Sequence, residues 1–264
     1  MIPAVTAAAI FLLFTLLWAY QRATRNAGIV DVGWSFSAGL GGAVLALASG
    51  GWGPRTVLVA ALSAAWGIRL AWHIHARARG VAEDGRYAGL RREWGASAQW
   101  KFLLFFQAQA LLAFGFALPM ALAAGQPRPG WGWTDLLGVA LWAVSWFGEA
   151  AADRQLQAFR DDPANRGRVC RRGLWAFSRH PNYFFEWIHW WAYAAFAAGA
   201  PFWGLTLIAP ALMLLFLWKV TGIPATEAHA LRSRGDAYRT YQREVSAFVP
   251  WFPRRPGPEA GEVR

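Results

Sequence analysis

Apolar positions in this chain are gathered into long blocks, separated by shorter stretches rich in arginine. Seven such blocks run over residues 3–20, 29–49, 56–73, 102–124, 133–152, 183–198 and 202–219. A helix rises 1.5 Å per residue, so roughly 20 apolar residues cross the hydrocarbon layer of a bilayer. The blocks therefore predict an all-α, polytopic membrane protein of about seven transmembrane helices, built as one domain over residues 1–253. The first block has no basic residue before it and is followed by Arg22 and Arg25, so it reads as a retained helix and not as a cleaved signal. After the last block, residues 226–243 predict an amphipathic helix. Residues 248–253 form an aromatic and proline-rich stretch suited to the membrane interface. The polar residues 254–264 predict a disordered tail.

Composition supports this pattern. Hydrophobic residues make up 56% of the 264, and charged residues only 16%, against about 25% in soluble domains. The 18 tryptophans include Trp18, Trp52, Trp100, Trp131 and Trp218 near block ends, as in an aromatic belt. One cysteine, Cys170, excludes an intramolecular disulfide framework and a cysteine-based zinc cluster, and no metal site is expected.

The net charge of +11 changes the picture through its distribution. Nearly all of the 26 basic residues fall in every second connection. Arg22 and Arg25 follow the first block; Arg77, Arg79, Arg86, Arg91, Arg92 and Lys101 follow the third; Arg154 to Arg179 follow the fifth; and the rest follow the seventh. The alternate connections hold Arg55 and Arg128. Seven crossings with the N-terminus outside put every rich segment and the C-terminus in the cytoplasm, as the positive-inside rule demands. This accounts for the charge more cheaply than nucleic acid would, and no nucleic-acid partner is expected. The arginine, alanine, glycine and tryptophan bias points to a bacterial chain and hence to a bacterial inner membrane.

Ionisable groups within apolar spans are costly, so each is a candidate for function. Glu149, Asp153, Gln157 and Arg160 are spaced four, four and three apart, on one helix face. An ion-paired helix end and the polar wall of a cofactor pocket both fit them. In Ser178-Arg179-His180-Pro181-Asn182-Tyr183, Pro181 suits the first turn of a helix. Asn182, Glu186 and Trp190 then share a face beside His189, either around a local Glu–Arg pair or as a site for a polar ligand. Asp31 opens the second block, as a helix cap or a catalytic carboxyl. Trp66, Arg69 and His73 are spaced along the third block. Glu227, His229, Tyr238 and Tyr241 fit a solvated amphipathic helix. Gln107 and Gln109 suit helix–helix hydrogen bonding. No P-loop, nucleophile elbow or dinucleotide-binding glycine fingerprint is present, so any nucleotide must lie among membrane helices and loops.

The stretches 30–36, 66–72 and 179–190, with the ending Tyr238…Tyr241…Val249-Pro250-Trp251, resemble the DUF1295 group of the steroid 5α-reductase-like superfamily. The resemblance covers most of the chain. It implies a seven-helix membrane reductase that uses NADPH on a lipophilic substrate drawn from the bilayer. It implies cofactor contacts from Asp153, Arg160, Asn182 and Glu186, with Glu149 standing where the steroid enzymes have Asn. Arg179, Tyr183 and Tyr238 belong to the same implied cofactor set. Arg166, Arg168, Arg171 and Arg172 suit its phosphates, since guanidinium grips phosphate in a bidentate fork. Asp31 falls near the family's catalytic Glu once one residue is inserted. Trp66 stands where those enzymes have Tyr, and an indole N–H is a poor proton source. Asp31, Trp66 and His73 are therefore the implied catalytic group. The expected reaction reduces a conjugated carbon–carbon double bond in an enone.

The Arg179-His180-Pro181-x-Tyr183 element and the Glu227…Tyr238…Tyr241 tail are also similar to isoprenylcysteine carboxyl methyltransferases. That likeness implies S-adenosylmethionine instead. A non-catalytic lipid-binding membrane protein is the third alternative. Fold alone does not separate the three.

Overall fold

A computed structural model describes residues 1–50, 53–126 and 130–254. Trp52, Arg128 and the expected tail from residue 255 onward lie outside the described residues. The structure is helical, in the order α1 (Ile2–Thr24), α2 (Ile29–Gly50), α3 (Pro54–Ala78), α4 (Gly85–Trp94), α5 (Ala98–Ala124), α6 (Trp133–Asp161), α7 (Pro181–Ala197), α8 (Ile208–Leu215), α9 (Ile223–Arg234) and α10 (Asp236–Glu244). Among the described residues there is one isolated β-bridge, Ser178 with Ser246, and no strand.

Among the described residues, five helical stretches are long and apolar enough to cross a membrane: Ile2–Thr24, Ile29–Ser49, Pro54–Ala78, Gly85–Ala124 and Trp203–Arg234. They contain five of the seven expected blocks. The remaining two blocks lie in α6 and α7. At 29 residues α6 is long enough, but its apolar run is broken by Asp135, Glu149 and Asp153. At 17 residues, α7 reaches only about 26 Å, short of the hydrocarbon thickness.

The chain divides into two compact units, Met1–Gly138 with Tyr193–Ala209, and Val139–Ala192 with Pro210–Arg264. In the first unit α2 is the central helix, packed against α1, α3 and α5. Its apolar span is 61% buried, against 11% for α1. Small residues allow this. A Cβ on Gly39 would lie 2.5 Å from the Cα of Gly67 on α3, and one on Gly42 would lie 2.4 Å from Met120 Sδ on α5. Such close approach replaces the hydrophobic driving force that lipid removes. The Ser63 hydroxyl adds a 2.7 Å bond to the Gly39 carbonyl. On the other side, Phe14 of α1 meets Phe106 of α5 edge to face at 6.5 Å. Gln107 donates to the Thr15 hydroxyl at 3.1 Å, the helix–helix bond expected of it.

Polar networks close the ends of this unit. Arg91 holds Glu83 at 2.7 Å and donates to Gln21, which in turn bonds Gln99. Burial alone would raise the Glu83 carboxyl, but Arg91 and the Ala27 amide outweigh it and hold the group below its usual range. Elsewhere Arg55, in the first turn of α3, makes two 2.8 Å bonds to Asp135 at the start of α6. Both side chains are buried.

In the second unit the predicted amphipathic helix over 226–243 is two helices. Gly235 has φ +52°, a left-handed conformation that ends α9 and starts α10. The turn lets Tyr238 and Tyr241 fold back onto Ala230 and Val245 in a small core.

Candidate functional site

In the first unit the chemistry gathers around Asp31. It lies in the first turn of α2. Its Oδ1 accepts from the Tyr87 hydroxyl at 2.6 Å, and its Oδ2 accepts from Arg86 at 3.0 Å. Tyr87 and Arg86 belong to α4, a short helix capped by Asp84, whose carboxylate takes the Arg86 amide at 2.9 Å. The cap fixes the first turn, and the first turn aims both side chains at Asp31. Tyr87 is buried; Asp31 keeps about a third of its side chain exposed. A half-open carboxylate thus carries a phenol on one oxygen and a guanidinium on the other.

Sequence reasoning missed Tyr87 and Arg86. Their signal was present: Tyr87 is the one aromatic residue between His75 and Trp94 in an otherwise polar stretch. Trp66, expected beside Asp31, lies buried on α3 and packs edge to face on Trp34 at 6.3 Å. His73 lies two turns further along α3, half-buried.

In the second unit α6 and α7 bring two of the implied cofactor residues together. Asn182 Nδ2 donates to Asp153 Oδ1 at 3.3 Å, across 29 positions of sequence. Glu186, one turn on, is buried and accepts from the Trp190 indole at 3.2 Å. Glu149 is buried one turn before Asp153, whereas Arg160 is exposed at the far end of α6. Gln157 donates to Asp161 at 2.7 Å, one turn on along the same helix face. The loop between α6 and α7 is tied back by Trp175, whose indole donates to the Ala152 carbonyl at 2.9 Å, and by Gln155, which accepts from the Leu174 amide at 2.8 Å. This leaves Arg166 and Arg168 exposed on the loop, while Arg171 pairs with Glu244 and lies over the Tyr241 ring.

Arg179 and the C-terminal helices form a second cluster. Glu227 accepts from Arg179 at 2.7 Å, from Gln242 at 2.7 Å, from His180 at 3.2 Å and from Tyr238 at 3.5 Å. Arg179 also donates to the Gln242 and Val245 carbonyls. The Tyr183 ring stacks on His180 at 5.3 Å, and its hydroxyl lies 3.1 Å from that of Thr226. Burial lowers the His180 pKa against the upward pull of Glu227, so the ring is neutral near pH 7. Burial, joined by the Glu227 carboxylate, pushes the Tyr238 hydroxyl well above its ordinary value. Tyr241 donates to the Trp175 and Ser178 carbonyls. The segment before α7 and the C-terminal helices thus meet on one carboxylate, where an amphipathic period predicts a solvated face.

The sequence pattern of a family described as "Protein of unknown function (DUF1295)" matches residues 17–245. No curated protein matches the chain.

Proposed function

The chain belongs to the DUF1295 family, and from that premise and the two polar pairs just described we propose that it is a membrane reductase that uses NADPH to saturate the conjugated double bond of a lipophilic enone. The observation that carries this reading is the Asp153–Asn182 bond at 3.3 Å. The resemblance assigns both residues to the cofactor, and they come from different helices. The donor set suits a phosphorylated dinucleotide. Asp153 and Asn182 offer acceptors and donors to a sugar or amide, and exposed Arg160, Arg166 and Arg168 suit phosphates. When bound, NADPH would supply the hydride for the β-carbon of the enone.

The substrate side of the reaction falls to α2 and α4. Hydride arrival places negative charge on the enone oxygen. The Tyr87 O–H would serve that oxygen by turning to it from Asp31, to which it donates at 2.6 Å, while Arg86 keeps the carboxylate paired. Tyr87 takes the role for which Trp66 is chemically unsuited; the proton that completes the saturated ketone passes through it and is replaced from water at the half-open Asp31 side.

In the same reading α6 and α7 cross the membrane as well. That gives seven crossings, with the N-terminus outside and the arginine-rich loops in the cytoplasm of a bacterial cell. The alternation of basic residues supports this arrangement.

The methyltransferase alternative has one observation in its favour, the meeting of Arg179, His180 and Tyr238 on Glu227. A titration of detergent-purified protein separates the two. Reductase chemistry expects near-ultraviolet fluorescence of NADPH to change on binding, with S-adenosylmethionine failing to compete. Asn182→Ala and Arg160→Ala are expected to weaken NADPH at least about tenfold, the loss of a charge-assisted contact. Tight S-adenosylmethionine binding without NADPH binding would replace the reductase by the methyltransferase.

A further inference from the structure

In the second unit α8 runs on into a π-turn, Phe216–Val220. Along this continuous stretch Ala211, Leu214, Leu215, Trp218 and Lys219 recur at i, i+3, i+4, i+7 and i+8, the spacing of one helix face. That face forms one side of an open groove of about 560 Å³, within the range of ligand pockets, roughly 300–1,000 Å³. Aromatic rings form the other side, where Phe248 meets Trp187 at 5.8 Å and also packs edge to face on Trp218. The Trp187 indole N–H is taken by the Pro210 carbonyl at 3.0 Å, so this wall offers its rings and not a donor.

One charge interrupts the lining. Lys219 is exposed, and its ammonium makes no ion pair among the described residues. No Asp or Glu lines the groove. An apolar trough with an unanswered positive charge at one end complements an amphiphile with a long apolar body and an anionic head.

Depth says where that head lies. The groove face belongs to Trp203–Arg234, a stretch long and apolar enough to cross a membrane. Lys219 comes sixteen residues after Trp203, about 26 Å along the axis when the opening 3₁₀ turn is included. That is close to the far edge of a hydrocarbon layer about 30 Å thick. Trp218 and Trp251 are exposed, as tryptophans are at the membrane interface. A lysine at that level lays its stem along apolar surface and keeps its ammonium among the headgroups. Exposed Leu215 and Val249 open the groove outward, toward the phospholipids that surround a membrane-crossing helix.

We propose that this groove binds an anionic phospholipid, with one acyl chain along the α8 face and the headgroup phosphate against Lys219. The proposal rests on the groove and on its single charge, and stands independently of the reductase reading.

The test uses the full chain in phosphatidylcholine nanodiscs. The probes are phosphatidylglycerol and phosphatidylcholine with the same acyl chains, each with a diazirine on one chain. Phosphatidylglycerol is expected to label peptides containing residues 211–219 or 248–249 saturably. Unlabelled phosphatidylglycerol should displace it, and phosphatidylcholine should not. Lys219→Gln is expected to weaken the phosphatidylglycerol probe about fivefold, the contribution of one basic residue at a lipid surface, and Lys219→Arg should restore it. Ala211→Trp, at an exposed wall position, should abolish saturable labelling with the thermal midpoint unchanged. Equal labelling by the two probes, or labelling that ignores Lys219→Gln, overturns the proposal. So does displacement by oleate as effective as by phosphatidylglycerol, which would assign the groove to free fatty acids. A groove covered by a second copy of the chain would leave these peptides unlabelled by either probe, and that result overturns it as well.

Discussion

Asp31 and His180 are where single residues carry testable chemistry. Removing the Tyr87 hydroxyl from Asp31 leaves the carboxylate with Arg86 alone. Tyr87→Phe is therefore expected to lower turnover by about 100-fold or more, the scale of general acid catalysis, with NADPH affinity unchanged. An assay of NADPH oxidation alongside a binding titration checks both halves, and normal turnover would remove Tyr87 from the reaction. His180 predicts a pH effect. Its pKa is depressed by burial, with Glu227, Arg179 and the Tyr183 ring as its neighbours. The unfolded chain then binds the proton more readily. The stability this residue contributes is full above its ordinary pKa of about 6.5 and is lost as pH falls toward the lower folded value. His180→Gln should flatten the fall in thermal midpoint between about pH 6.5 and 5; an unchanged slope would assign that fall to another group. The sequence singled out Asp31, Asn182 and His180 because ionisable or polar groups stand out against apolar runs. It could not single out Tyr87, since the bond to Asp31 spans 56 positions and depends on where α4 docks.

At the scale of elements, the packing of α2 follows from its glycines. Gly39→Ala places a methyl group against the backbone of Gly67, where neither helix can yield by rotating a side chain. It is expected to cost about 1–3 kcal/mol, the range for overpacking, read as a lower unfolding midpoint in detergent. The Arg55–Asp135 pair gives the opposite experiment. Asp135→Ala leaves a buried guanidinium without its carboxylate and should cost about 3–5 kcal/mol. Replacing both residues by apolar ones should recover most of that loss, and a double variant as unstable as the single one would show that the pair is itself stabilising. The helices of the apolar blocks were legible because an uninterrupted apolar run has one structural solution in lipid. The break at Gly235 was not, because an amphipathic period continues through a glycine whether or not the backbone turns there.

For the whole molecule the open issue is how many of the helices cross. In a Cys170→Ala background, single cysteines at Arg79, Arg92 and Arg166 should react with a membrane-impermeant maleimide only after the cytoplasmic side is opened. Cysteines at Gly53 and Phe202 should react in intact cells. This pattern is the one expected for seven crossings. If the Arg166 position instead reacts in intact cells together with Phe202, neither α6 nor α7 crosses, and the count falls to the five stretches that qualify by length and apolarity.

The sequence by itself determined the helical class, most of the candidate membrane spans and the residues whose polarity needs a reason. These are properties of short stretches, and lipid enforces them locally by leaving no other way to satisfy the backbone. Tertiary structure alone decided which of those residues meet: Tyr87 with Asp31, Asn182 with Asp153, and four donors on Glu227. Such pairings depend on how helices far apart in sequence approach and rotate against one another. That is set by side-chain fit at contacts such as Gly39–Gly67, which no period along the chain encodes.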